Sequence, residues 1–243
     1  RCQDKSQICK RFILMKTVVF DTGPIITLTM NNLLWLLEPL KRLSKANFCI
    51  TGLVKEELVD NPLTKTKRFK FEALQVLHYI ENGVLEVIST DEIKTQTEKL
   101  LSMANSCFSA FGHTMNLVHD AEMSAIALYL QKNADAFVVD EKTTRLLIEN
   151  PRKLHHILRH NLHTPVEINK NSMKDFQKLT KNVRMIRSVE LVTIAYEKGL
   201  LDKYLPHIDN SRKELLESVL WGVKLNGSAV TKKEIEQILR MET

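Results

Sequence analysis

No apolar run in this chain is long enough to cross a bilayer. The longest candidate, near Asn31 to Leu43, is broken by Glu38, Pro39 and Lys41. The first residues, R-C-Q-D-K-S-Q-I-C-K-R-F-I-L, lack the apolar centre and small-residue cleavage site of a secretory leader. Cysteine is sparse: Cys2, Cys9, Cys49 and Cys107 have no paired spacing, which argues against a disulfide framework and against a zinc site. Together these absences point to a cytoplasmic protein without a membrane partner. There is no internal repeat or low-complexity segment. Acidic residues are also scarce in one region. Between Pro151 and Arg187 nine basic residues face only Glu167 and Asp175, a local charge of +7 in a chain whose net charge is +6. A basic block beside a neutral body suits a polyanionic partner, although a solvated helix face would carry the same pattern.

What is present is 243 residues with 44% hydrophobic and 26% charged side chains, enough for one large domain or a domain with an appendage. Short apolar runs read as strands over Thr17–Phe20, Phe48–Ile50, Val84–Ile88, Ala136–Val139 and Val166–Ile168. Helical patterns fall between them, over Leu33–Ser44, Leu53–Val59, Phe69–Asn82, Asp91–Ser106, Asp120–Lys132 and Lys142–Asn150. This alternation predicts a parallel sheet covered by helices on both faces. After about Asn171 the strands are expected to cease, leaving helices over Val189–Lys198, Ser211–Leu225 and Lys232–Met241. Three segments are therefore expected: an extension over 1–14 with little role in the fold, an α/β domain over 15–170, and a helical extension over 171–243 with a basic entry. Met15, ahead of Lys-Thr-Val-Val, looks like a natural start.

Two strands end on acids. V-V-F-D runs into Asp21 and A-F-V-V-D into Asp140, and ligands of open parallel sheets bind beyond such strand ends. Each acid could instead cap the helix that follows. Two more acids fit the same crevice. Glu57 lies just after the second strand, and Asp120 opens the helix D-A-E-M-S-A-I-A-L-Y-L, with Glu122 two residues on and turned to another side. Helix formation and the helix dipole are the plainer explanations for these. Four converging carboxylates would repel one another unless a hard divalent cation relieved them, and Mg²⁺ or Mn²⁺ held by oxygens suits phosphodiester hydrolysis.

In this order V-V-F-D-T-G-P-I-I, V-K-E-E-L, H-D-A-E-M-S-A-I-A-L and A-F-V-V-D-E-K-T-T-R-L-L resemble the four acidic motifs of the PIN-domain nucleases, over about Met15 to Ile168. The similarity extends to archaeal and bacterial PIN proteins without assigned roles, whose C-terminal segment I-R-S-V-E-L-V-T-I-A-Y-E-K-G-L-L resembles. The resemblance implies a three-layer α/β/α fold with a central parallel sheet, followed by a small helical extension. It makes Asp21, Glu57, Asp120 and Asp140 the catalytic, metal-holding acids for Mg²⁺ or Mn²⁺. Glu122 competes with Asp120, and Glu141 stands where many members carry a further acid. Thr22 would contact water or phosphate. The implied activity is an endonuclease, with RNA preferred over DNA, of a toxin-like or RNA-processing kind; an antitoxin protein is then a possible partner. The alternative is an inactive module that binds RNA or protein.

The basic block would hold the strand by its phosphates, with Arg152, Lys153 and Arg159 as contacts. His155, His156, His160 and His163 lack a local acid or cysteine and fit phosphate contact better than a metal site. Trp35 and Trp221 read as core or interface residues, and a homodimer around Trp221 and Leu225 is an expectation of the helical tail.

Overall fold

The structure, a computed structural model, describes residues 11–242. Strands β1 (Thr17–Phe20) and β2 (Asn47–Thr51) bracket helices α1 (Thr22–Met30) and α2 (Leu37–Ser44). A short helix α3 (Gly52–Lys55), a π-helical turn (Glu56–Asp60) and α4 (Asn61–Lys65) lead to α5 (Lys70–Glu81) and β3 (Glu86–Ile88). Then come α6 (Asp91–Asn105), the hairpin β4 (Phe108–Ala110) and β5 (His113–Thr114), α7 (Asp120–Lys132), and β6 (Ala136–Val138). Next are α8 (Lys142–Glu149), α9 (Pro151–Leu162), β7 (Val166–Ile168), α10 (Lys170–Thr180) and β8 (Met185–Ile186). Helices α11 (Ser188–Glu197), α12 (Ser211–Leu225) and α13 (Lys232–Glu242) close the described chain.

The main sheet has the order β3-β2-β1-β6-β8 and every pair in it is parallel. Its strands are apolar on both faces, as strands covered twice must be. Because side chains alternate, Val18, Phe20, Ala136 and Val138 enter one core, and Val19, Phe137 and Val139 enter the other. The first core takes Ile25, Leu40, Leu191, Leu216, Leu220 and Ile235; the second takes Leu100, Met123, Ile126 and Phe176. This is the expected three-layer α/β/α arrangement with C-terminal helices. Chain direction reverses its order between β1 and β6, so the crevice beyond their carboxyl ends lies at the switch point of the sheet.

Three expectations are corrected. Strands do not cease near Asn171: Met185 and Ile186 pair with Phe137 and Val138 as the sheet edge, in a run too short to show a period. Val166–Ile168 does form a strand, but in a separate antiparallel sheet against the β4–β5 hairpin. The segment ahead of Met15 is not idle. Residues 1–10 lie outside the described residues, yet Phe12 is buried and meets Phe48 edge-on at 6.4 Å. Of the cysteines, Cys2 and Cys9 lie outside the described residues, whereas Cys49 and Cys107 are buried free thiols. Among the described residues no helix is long and apolar enough to cross a membrane. Trp221 is half-buried against the first core, and Leu225 is exposed at the end of α12.

Because α12 and α13 share the first core with β1 and β6, they are expected to unfold with the sheet. Leu216→Ala should cost about 2–5 kcal/mol, as such cavities do. Circular dichroism of the variant should show one transition at lower temperature; early loss of helix alone, leaving the sheet's transition in place, would contradict the shared core.

Candidate functional site

Phe20 pairs with Val138, and the Asp21 N–H donates to the Val138 carbonyl at 2.9 Å. Asp21 and Asp140 therefore leave neighbouring strands within a residue of each other. Gly23 lies between them: a Cβ there would stand 3.7 Å from both the Asp140 Cβ and Asp21 Oδ2. Both acids are buried, and their surroundings could hardly differ more.

Asp140 is saturated. Its Oδ2 accepts from Thr27 Oγ1 at 3.0 Å and Ser188 Oγ at 2.7 Å, and its Oδ1 accepts from the Ser188 N–H at 3.0 Å and Ser228 Oγ at 3.1 Å. These partners come from α1, the start of α11 and the turn between α12 and α13. The resemblance makes Asp140 a metal ligand; the arrangement here gives it a holding task, with all four of its partners inside the protein.

Asp21 is the opposite case. It occupies the cap position of α1 in an extended conformation, yet makes no capping hydrogen bond. Pro24 is the third residue of that helix, so one of the two N–H groups such a bond could use is missing and only that of Gly23 remains. The Gly23-Pro24 pair forms the helix's first turn, over a buried carboxylate. Asp21 Oδ1 is buried without any hydrogen-bond partner. Its pKa is pushed up from 3.8 to about 7, chiefly by burial and then by the charges of Glu122 and Glu57. The backbone N–H groups of Thr22 and Gly23 offset this only in part.

Glu57 comes from the π-helical turn after α3, a backbone form that recurs at functional sites. Its Oε2 accepts from Thr22 Oγ1 at 2.7 Å, which gives Thr22 a place in the cluster. Glu122, on α7, is the third acid near Asp21. Burial raises its pKa and so does the charge of Glu141, while the His119 N–H, donating to Oε2 at 2.8 Å, opposes the rise. Glu141 caps α8, accepting from the Thr143 N–H at 2.9 Å. The buried hydroxyl of Thr144 lies beside Glu122 and also opposes the rise.

Asp120 stands apart. It is exposed at the start of α7 and lines a groove of about 620 Å³ beyond β2 and β3, with Thr51, Leu53 and Asp91. Two residues along a helix turn the side chain through roughly 200°, so Asp120 and Glu122 cannot serve one crevice. Of the two, Glu122 is the acid whose charge reaches Asp21. One signal in the sequence marks it: Glu122 is the sole charge in A-E-M-S-A-I-A-L-Y-L.

Arg152, Lys153 and Arg159 are exposed on α9, which packs on α8 and β7. His156, Arg159, His160 and His163 line a shallow groove there. Arg187, counted in the same basic block, is not available to phosphate. It is mostly buried and bonds Glu190 and, at 2.9 Å, Glu234, tying α13 to α11.

All donors around Asp21 are oxygens, the set a hard cation takes, and an unpartnered buried oxygen faces them. The residues therefore fit a divalent metal ion. Among the described residues no three acids, histidines or cysteines already stand close enough to hold one, so binding would draw Glu57, Glu122 or Glu141 inward.

For the metal-free protein the sign of the pH dependence follows. Asp21's folded pKa lies above its ordinary value, so its contribution is complete below about pH 4 and is lost as pH rises through about 7. The loss is up to about 4 kcal/mol. In EDTA, Asp21→Asn should therefore melt above wild type at alkaline pH and flatten the profile. Asp140→Ala should melt lower at every pH, by about 2–5 kcal/mol, since it strands three hydroxyls and an N–H. Equal effects of the two substitutions would refute this division.

No curated protein and no solved structure matches the chain significantly. A family model described as a PIN domain matches residues 17–151, from β1 through the acid cluster to the start of α9. That span is more than half of the sequence and holds Asp21, Glu57, Glu122, Asp140 and Glu141, and with them the nuclease-type sheet and its strand-end acids: the chain belongs to the PIN-domain family.

Proposed function

We propose that the protein is a divalent-metal-dependent endonuclease that hydrolyses phosphodiester bonds in RNA, with Mg²⁺ or Mn²⁺ as its cation. The observation that carries this reading is the buried, unpartnered Asp21 oxygen, repelled by the charges of Glu122 and Glu57, at the switch point of a PIN sheet. PIN domains are generally metal-dependent nucleases. RNA rather than DNA is the substrate that the resemblance to the PIN-domain nucleases implies.

Asp21 and Glu122 would hold the cation, with Glu57 or Glu141 completing the set. A cation so bound lowers the pKa of a water and neutralises charge on the transferring phosphoryl group. The protein's own part is positional. Burial keeps water from screening Asp21, and Thr22 fixes Glu57 by its hydroxyl. Glu122 is oriented by the His119 N–H, and Asp140 locks the strand end on which the crevice is built. Near neutral pH Asp21 would give up its proton on holding the cation.

A second reading, a PIN module that binds without cutting, draws on the spacing of the acids, no three of which stand close enough to hold an ion among the described residues.

Purified protein should cleave single-stranded RNA in Mn²⁺ and lose at least about a hundredfold of that rate in Asp21→Asn and in Glu122→Gln. Asp120→Asn should stay within about twofold, because its carboxylate faces another groove. Mn²⁺ should raise the melting temperature of wild type over EDTA, and not that of Asp21→Asn. Cleavage that survives Asp21→Asn would end the enzymatic reading; a metal shift without cleavage would favour the binding module.

A further inference from the structure

Between α4 and α5 the chain reads Lys65-Thr66-Lys67-Arg68-Phe69-Lys70-Phe71, and every one of these residues is exposed. Phe71 is 68% and Phe69 42% accessible. Folding alone gives no reason to set two large rings in water among four cations. Lys65 meets Glu56 at 3.7 Å; Lys67, Arg68 and Lys70 have no acidic partner among the described residues. The Arg68 guanidinium lies over the Phe69 ring, 4.8 Å from its centroid. Phe69 itself has φ 64°, a left-handed conformation that a bulky side chain rarely adopts. The segment is held in an unfavourable shape that turns its rings outward.

Its position connects it to the acids. Phe69 and Glu57 line one cleft of about 110 Å³. On its far side Phe71 borders a second groove, about 380 Å³, with Asn32, Trp35, Gln75, His78 and Tyr79. The Trp35 indole N–H is buried there without a partner. Beside Glu57 the segment thus presents Lys67 and Arg68, the Phe69 ring, Lys70, the Phe71 ring, and then a groove that mixes aromatic faces with amide groups. Alternating rings and cations are how proteins hold single-stranded nucleic acid: bases stack, and phosphates meet the charges.

We infer that the 65–71 segment and the groove beyond it form the platform for single-stranded RNA leaving the acid cluster, with phosphates on Lys67, Arg68 and Lys70 and bases on Phe69 and Phe71. The inference rests on the nuclease reading for the identity of the strand. It moves the main strand contact away from Arg152, Lys153 and Arg159. The exposed rings alone would also suit an apolar protein segment, but three unpaired cations favour a polyanion.

The test separates the two readings. Full-length Asp21→Asn protein in EDTA, which needs no chemistry, is titrated into a labelled uridine oligonucleotide of about ten nucleotides at about 50 and about 200 mM salt, with anisotropy as the readout. Adding Phe71→Ala should weaken binding about tenfold and leave the salt slope alone, since stacking is lost. Adding Lys67→Ala with Arg68→Ala should weaken it at least about tenfold and lower the slope by about 1.4, two single-strand phosphates. Arg152→Ala with Lys153→Ala should stay within about twofold. Unchanged affinity in both segment variants overturns the proposal, as does an absence of RNA binding. Self-association lost in Phe71→Ala, seen by sedimentation without RNA binding, would also overturn it by making the patch a protein interface. RNA binding with these dependences but no cleavage by wild type in Mn²⁺ would remove the nuclease reading and keep the platform.

Discussion

The structure depends on one carboxylate. Asp140 accepts four hydrogen bonds from Thr27, Ser188 and Ser228, and so fastens α1, α11 and the turn before α13 to the end of β6. Removing a carboxylate from water is expensive, and it becomes tolerable where every lone pair is met. A satisfied polar hub of this kind specifies a geometry more sharply than apolar packing, because its partners must arrive at set distances and angles. The crevice beyond β1 and β6 inherits that definition. It also explains why the C-terminal helices belong to the sheet's own core: two of the hub's three partners come from them.

Asp21 sits next to this hub with nothing comparable. One of its oxygens is orphaned, its helix offers no cap bond, and two glutamates repel it. Such a group in a folded protein is a standing cost, and perturbed acids of this sort cluster at functional sites. The two acids divide the labour. Asp140 supplies rigidity and Asp21 supplies an unmet demand for positive charge, separated by a residue with no side chain at Gly23.

Much of this was legible in the sequence, and the failures have physical reasons. Thr17–Phe20 and Ala136–Val138 announce themselves because doubly covered strands are apolar throughout. Asp21 and Glu57 follow from where such strands end. Met185–Ile186 could not be read, since two residues between Arg184 and Arg187 show no periodicity. Val166–Ile168 was legible as a strand but not as a member of the second sheet, because pairing partners are set by tertiary packing. The motif match favours Asp120 over Glu122, because it compares residue order and not the direction a side chain takes. Only the near-complete burial of α7 around Glu122 shows which acid faces inward. The hydroxyls that hold Asp140 lie 113, 48 and 88 residues away from it, beyond any local pattern.

The same distinction governs the cations. A count of charges along Pro151–Arg187 treats every arginine alike, yet Arg187 is committed to Glu190 and Glu234 inside the fold. Charge available to a partner is charge left unpaired at the surface, and composition cannot see pairing. Lys67, Arg68 and Lys70 meet that criterion beside the acids, because the cleft next to them is lined by Glu57. The ion pairs of Arg187 serve the hub instead: they clamp α13 to α11 one residue from Ser188, and so hold in place the hydroxyl and N–H on which Asp140 depends.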